Sequence, residues 1–174
     1  LFRSSITVVN DSARDADGLD SNGDIVISGG TVRVSLVNSG SNSALDCGTE
    51  SGGVMEISGG EVIACGSYAM AEGFDSSSTQ CSFLYNFRKG TGAGTVLTLE
   101  DSDGNIILSY EVPCSFSSAL ISCPAMKIGE TYTVLLNDYA EEITLEEVSA
   151  SFGDAQSEGF SGSMNWGGMH FRPQ

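Results

Sequence analysis

The densest set of potential ligand atoms lies near the start of the chain, where Asp15, Asp17, Asp20, Asn22 and Asp24 fall within ten residues. Calcium takes six to eight hard oxygens, and carboxylates at alternate positions of a loop can present several to one ion. Asp20, Asn22 and Asp24 have the spacing that opens an EF-hand, but Ile25 stands where that loop requires glycine. Asp46 and Glu50 follow one repeat later and would either complete a calcium site or duplicate it. The competing reading is turn chemistry, because Asp and Asn side chains bond nearby backbone and favour corners. Both readings stand at this point.

Other chemistry finds less material. His170 is the single histidine and lies in the last residues, so neither a Ser-His-Asp nor a Cys-His arrangement has a base in the folded region. Lys89 and Lys127 both lie outside the repeats described below. Acidic residues are plentiful, but no spacing singles out a pair for glycoside hydrolysis. The expectation is a protein that is not an enzyme. Five cysteines leave at least one unpaired within the chain, and no C-x-x-C pair suggests zinc. Cys114 and Cys123 flank a short segment and are the disulfide candidates; the alternative is a set of small buried thiols.

The 174 residues amount to about one domain. With 23 acidic against 7 basic side chains the net charge is -16, which argues against nucleic acid or an anionic membrane as partner. No apolar run approaches the roughly 18 residues of a membrane span, so membrane insertion is not expected. The first residues, Leu1 to Val9, read as a strand, and a leader peptide is not expected among them. A first residue that is Leu suggests processing, or a piece of a longer polypeptide.

The elements that must position these side chains are announced by a repeat. Ile25-Val26-Ile27-Ser28-Gly29-Gly30-Thr31-Val32-Arg33-Val34 is echoed by Met55-Glu56-Ile57-Ser58-Gly59-Gly60-Glu61-Val62-Ile63-Ala64, an interval of 30 residues. Upstream of each copy stands a second echo, Gly18-Leu19-Asp20 and Ala44-Leu45-Asp46. Each unit reads as a strand, a Gly-Gly corner, a second strand and a polar loop, with side chains at i and i+2 on one face. Strands at this interval without an intervening helix exclude a βαβ crossover and favour coils stacked as a solenoid; hairpins of a sandwich are the alternative. Ile27 should then touch Ile57. From residue 81 the pattern changes to strand-like runs at 83–87, 95–99, 106–110, 119–122, 132–136 and 143–145, separated by Gly, Asp-Gly and Asn-Asp turns. The expectation is all-β: a short right-handed parallel β-helix over residues 1–80, an antiparallel β cap closing its end over 81–150, and a Gly/Ser/Met-rich tail over 151–174.

Several stretches in order also resemble a known family. They are Asp17-Gly18-Leu19-Asp20-Ser21-Asn22-Gly23, Ile27-Ser28-Gly29-Gly30-Thr31-Val32, Ser43-Ala44-Leu45-Asp46, Ser67-Tyr68-Ala69-Met70-Ala71, Ser76-Ser77-Ser78-Thr79-Gln80, Leu108-Ser109-Tyr110 and Ile128-Gly129-Glu130-Thr131-Tyr132-Thr133. Together they are similar to the C-terminal half of the secreted parallel β-helix carbohydrate-binding domain proteins of anaerobic bacteria. The resemblance implies a pectate-lyase-like fold, an extracellular or cell-surface location, and calcium-dependent binding of polygalacturonate or related plant cell-wall polysaccharide without cleavage.

An acidic polymer would meet a -16 protein unfavourably unless calcium bridges the carboxylates or Arg14 and Arg33 pair with it. Tyr68 and Phe74 are the clear aromatic candidates for a sugar face after Phe2 in the repeat-bearing half; Arg33 could equally be an outward charge on a solvated strand. Two other functions compete. A structural or adhesive protein would assemble through the uncapped N-terminal coil, where Ile6, Val8 and Val9 expose an open strand edge. A degenerate polysaccharide lyase is the remaining alternative.

Overall fold

The computed structural model describes residues 4–12, 15–40 and 42–155, and these form strands joined by turns, with one 3₁₀ turn at Thr49–Ser51 and no α-helix among them. The strands are β1 (Ser5–Asn10), β2 (Leu19–Ser21), β3 (Ile25–Leu36), β4 (Leu45–Cys47), β5 (Met55–Gly66), β6 (Ser82–Thr91), β7 (Thr95–Glu100), β8 (Ile106–Val112), β9 (Phe116–Ser122), β10 (Thr131–Leu136), β11 (Tyr139–Thr144) and β12 (Ser149–Gly153). They make three sheets, in the orders β1-β3-β5-β9-β6-β12, β11-β10-β7-β8 and β2-β4.

The repeat produces parallel pairing. β1, β3 and β5 run side by side in one direction, and β2 pairs parallel with β4. Ile27 stands opposite Ile57, as expected, and both are buried in one cluster. Inward side chains form columns: Ile6, Val32 and Val62; Val8, Val34 and Ala64; Leu19 and Leu45. Each column stacks like on like, so one repeat's apolar positions become its neighbour's packing surface.

The Gly-Gly pair behaves differently from the expected corner. β3 and β5 each run through it as one 12-residue strand. The ladder shifts register between Ile27 and Thr31, and the second glycine of each pair takes a positive φ, 84° at Gly30 and 101° at Gly60. That is a bulge, which bends a strand without ending it.

The C-terminal half is also placed differently from an end cap. Each of the six expected runs lies on or overlaps one strand from β6 to β11, but only β9 covers the edge of the parallel strands, pairing antiparallel with Val62–Gly66 of β5. The four-stranded sheet lies instead against the other face of the six-stranded sheet. Two cores result, one on each side: Val32, Val34, Val62, Ala64, Leu84 and Leu120 face β2 and β4, while Ile63, Cys65, Phe83, Tyr85 and Ile121 face β7, β10 and β11. Burial on both sides is why every residue of β9 is buried. The six-stranded sheet therefore crosses the expected boundary at residue 80, and β12 carries it to Gly153. The rest of the expected tail, residues 156–174 with His170, lies outside the described residues.

The other half of β5's edge is met by side chains of the irregular segment that follows. Asp75 Oδ2 accepts the Met55 N–H at 2.6 Å, Ser78 Oγ accepts the Ile57 N–H at 3.1 Å, and the Thr79 N–H donates to the Ile57 carbonyl at 3.0 Å. Gln80 completes the closure, its Nε2 donating to the Gly60 carbonyl at 2.9 Å and to Ser122 Oγ at 2.8 Å.

Candidate functional site

The stacked strands bring the acidic residues into a row. Asp20 on β2 is the register partner of Asp46 on β4. Asp46 has its carboxyl held above the usual carboxylate range, first by partial burial and then by the negative charges of Glu72, Asp17, Asp20 and Glu50. Sequence reading missed Glu72. The signal was the equal interval of 26 residues that separates Asp20, Asp46 and Glu72. Glu72 takes the place of a third strand: its Oε2 accepts the Cys47 N–H at 3.2 Å. Burial and this carboxylate push the Cys47 thiol up to about 12, so it is no nucleophile.

Two other members of the cluster do turn work, but across the stack. Asp17 Oδ1 accepts the Ser43 N–H at 2.7 Å, and Asp24 Oδ1 accepts the Val54 N–H at 3.0 Å. Each caps the backbone of the next repeat, not of its own loop. Asp15 and Asn22 are exposed. Among the described residues no three acidic, histidine or cysteine side chains converge as a cation cage. A cation at this row would therefore complete its shell with oxygens from solvent or a bound polymer.

The basic and aromatic candidates are scattered. Arg33 is not on a solvated face: its side chain is 13% exposed, paired with Glu61, and stacked under Tyr110 of the four-stranded sheet. It is unavailable to a polymer. Tyr68 is half-buried and donates its backbone N–H to Ser117 Oγ at 3.1 Å. Arg14 lies outside the described residues.

Cys114 and Cys123 are both free and buried, as are Cys47, Cys65 and Cys81. The segment between the first two is strand β9, not the turn of a hairpin. Extended backbone of that length separates its ends by roughly 30 Å, against roughly 6 Å between the Cα atoms of a disulfide.

A cleft of ≈ 520 Å³, unforeseen from the sequence, opens between the end of β1 and the loop after β3, lined by Asp11, Ser12, Val37, Asn38, Ser39 and Gly40. Among the described residues its wall offers hydroxyl, amide and carboxylate groups and no aromatic ring.

No protein-family model, no curated protein and no solved structure matches this chain. No helix among the described residues is long and apolar enough to cross a membrane.

Proposed function

We propose that this chain is a non-catalytic binding module for acidic, pectin-like polysaccharide, acting outside the cell with calcium and built on a short right-handed parallel β-helix. The observation that carries the reading is the carboxylate row, in which Asp46 on β4 stands in register with Asp20 on β2 and meets the charges of Asp17, Glu50 and Glu72 from the flanking turns and loops. Strands in a ladder are about 4.8 Å apart, so the row sets like charges close together. Arg33, the cation within the repeats, is committed to Glu61. Burial first, and then these like charges, hold the Asp46 carboxyl above its ordinary range. A divalent cation held between this row and the carboxylates of a uronate polymer relieves repulsion on both sides, and hard oxygens from the two partners together suit calcium. The parallel stacking agrees with the β-helix that the sequence resemblance implies, and the polar cleft beside Asn38 offers a place for uncharged sugar hydroxyls.

The test is binding of polygalacturonate by calorimetry and pull-down, with calcium and with excess chelator. Binding should require calcium, fall at least tenfold in the Asp20→Asn/Asp46→Asn double variant, and release no unsaturated uronide. Equal binding in chelator, or binding confined to neutral glucans, would sink the proposal. Appearance of ultraviolet-absorbing product would restore the lyase alternative.

A further inference from the structure

Two of the five thiols are brought face to face by a strand register. β6 and β9 pair antiparallel, with Ser82 opposite Ser122, Phe83 opposite Ile121 and Tyr85 opposite Ala119. One step beyond Ser82 and Ser122, the same register sets Cys81 against Cys123. Side chains alternate along a strand, and directly opposed residues share a face. Cys81, Phe83 and Tyr85 accordingly lie in one buried cluster with Cys123, Ile121 and Ala119. Hydrogen bonds hold the junction together: Ser122 Oγ donates to the Cys81 carbonyl at 2.7 Å and accepts from Gln80 Nε2 at 2.8 Å.

Opposed residues of an antiparallel pair have Cα atoms roughly 4.5–5.5 Å apart, inside the roughly 4.4–6.8 Å that a disulfide spans. One turn also serves both sulfurs. Burial raises both thiols, and backbone N–H groups of the turn after β9 oppose it, Ile128 at Cys81, Ala125 and Met126 at Cys123. Tyr132, whose hydroxyl accepts the Lys127 N–H of that turn at 2.8 Å, feels both cysteines. The remaining thiols stand elsewhere. Cys65 is opposite Ala119, four residues along β9 from Cys123 and so roughly 13 Å away, while Cys47 belongs to the other core.

We infer that Cys81 and Cys123 are a dithiol that closes to a cross-strand disulfide when the chain meets a small-molecule disulfide as oxidant. Cys81, 8% exposed against 2% for Cys123, is the point of entry. Its thiolate attacks one sulfur of the oxidant RS–SR, forming a mixed disulfide and releasing RS⁻. The Cys123 thiolate then attacks the Cys81 sulfur and displaces the second RS⁻. The two cysteines are oxidised, one RS–SR is reduced, and the two thiol protons end on two RSH. The closed ring runs from residue 81 to residue 123 and encloses β6, β7, β8 and β9. The bond therefore clasps the strand that covers the edge of the parallel stack to the strand beside it, with the β7–β8 hairpin of the second sheet inside the loop. Oxidising surroundings outside a cell preserve such bonds, but the inference rests on the register and not on the polysaccharide proposal.

The experiment uses the whole chain, reduced, freed of reductant and then held in oxidised glutathione. It is run on the native chain and again during refolding from denaturant, because burial slows entry to the thiols. The thiols counted in denaturant should fall from five to three as two are consumed, and chymotryptic peptides should show Cys81 joined to Cys123. Cys81→Ser and Cys123→Ser should each abolish the loss of thiols, whereas Cys114→Ser should leave it intact. Cys81→Ala repeats the test with an apolar side chain if serine there unfolds the chain. The oxidised chain should melt about 5–10 °C above the reduced one, and dithiothreitol should reverse the gain. Five free thiols after refolding in the oxidant overturn the inference. So does a link between Cys65 and Cys114, or glutathione retained on Cys81 beside a free Cys123, which would put the two sulfurs out of reach of each other.

Discussion

The guanidinium carbon of Arg33 lies 5.5 Å from the centroid of the Tyr110 ring, so a cation of the parallel strands sits under an aromatic face of the antiparallel sheet. The same guanidinium pairs with Glu61, one repeat on, and donates to the Val32 carbonyl at 3.1 Å, while Tyr110 bonds Ser35 at 3.2 Å. These contacts tie β3, β5 and β8 together across the second core. Arg33→Ala leaves Glu61 without its partner and the Tyr110 ring without its cation. It should cost about 2–3 kcal/mol in urea denaturation, below the full cost of breaking a buried pair because Glu61 is partly exposed. Arg33→Lys should recover only part of this, since an ammonium cannot stack and fork at once. Loss of less than about 0.5 kcal/mol in Arg33→Ala would mean the contact is merely surface decoration.

The acidic row predicts a pH dependence of known sign. The Asp46 carboxyl is raised in the folded state, through burial and then through Glu72, Asp17, Asp20 and Glu50. A group that binds its proton more tightly when folded contributes stability below its ordinary value near 3.8, and loses it as pH rises through the folded value. Asp46→Asn should therefore raise the melting temperature at neutral pH, with the gain shrinking to nothing as pH falls below the ordinary carboxylate range. A variant less stable than the parent at pH 7 would show that the carboxylate is held by contacts stronger than its neighbours' repulsion.

The thiols offer a check on the packing. All five are buried, and Cys65, deepest of all, has its thiol pushed far up by burial. Thiolate is the reactive form, so a burial that suppresses ionisation also suppresses reaction. Before any disulfide oxidant is added, a thiol reagent should titrate almost none of the cysteines in the native chain and all five in denaturant without reductant. A count of three with Cys114 joined to Cys123 would restore that disulfide and contradict their placement at opposite ends of β9.

Ile27 and Ile57 show what a sequence can disclose: an identical tetrapeptide at a fixed interval leaves parallel register as the simplest way to stack like on like. The packing of the second sheet was also written, though faintly. β3 alternates, Val32-Arg33-Val34-Ser35, while β5 is continuous, Val62-Ile63-Ala64-Cys65. A continuous apolar run marks a strand covered on both faces. What was not legible depends on partners far apart in the chain. Asp17 and Asp24 have the residue type of a local turn, yet they cap Ser43 and Val54 across the stack. Arg33 looked like a solvated charge because nothing near it in sequence reveals Tyr110. The Gly-Gly pair signals a bend without saying whether the ladder survives it.

The closure of the stack at β5 predicts one more outcome. Gln80 is 9% exposed, and its amide nitrogen is the donor that satisfies both the Gly60 carbonyl and Ser122 Oγ. Ser122 in turn donates to the Cys81 carbonyl at 2.7 Å, so the amide anchors the junction between β5, β9 and the start of β6. Gln80→Leu keeps the volume but removes the donor, leaving buried acceptors without a partner, and should cost about 2–3 kcal/mol. Gln80→Glu should cost at least as much, because it replaces a donor with a carboxylate facing a carbonyl oxygen. Hydrogen exchange locates the effect. The amides of β9 that pair with Val62–Gly66 should lose protection, while those of β7 and β10 keep theirs. Uniform loss across both sheets would show that the strand edge and the antiparallel sheet unfold as one unit, with no separable closure at this end.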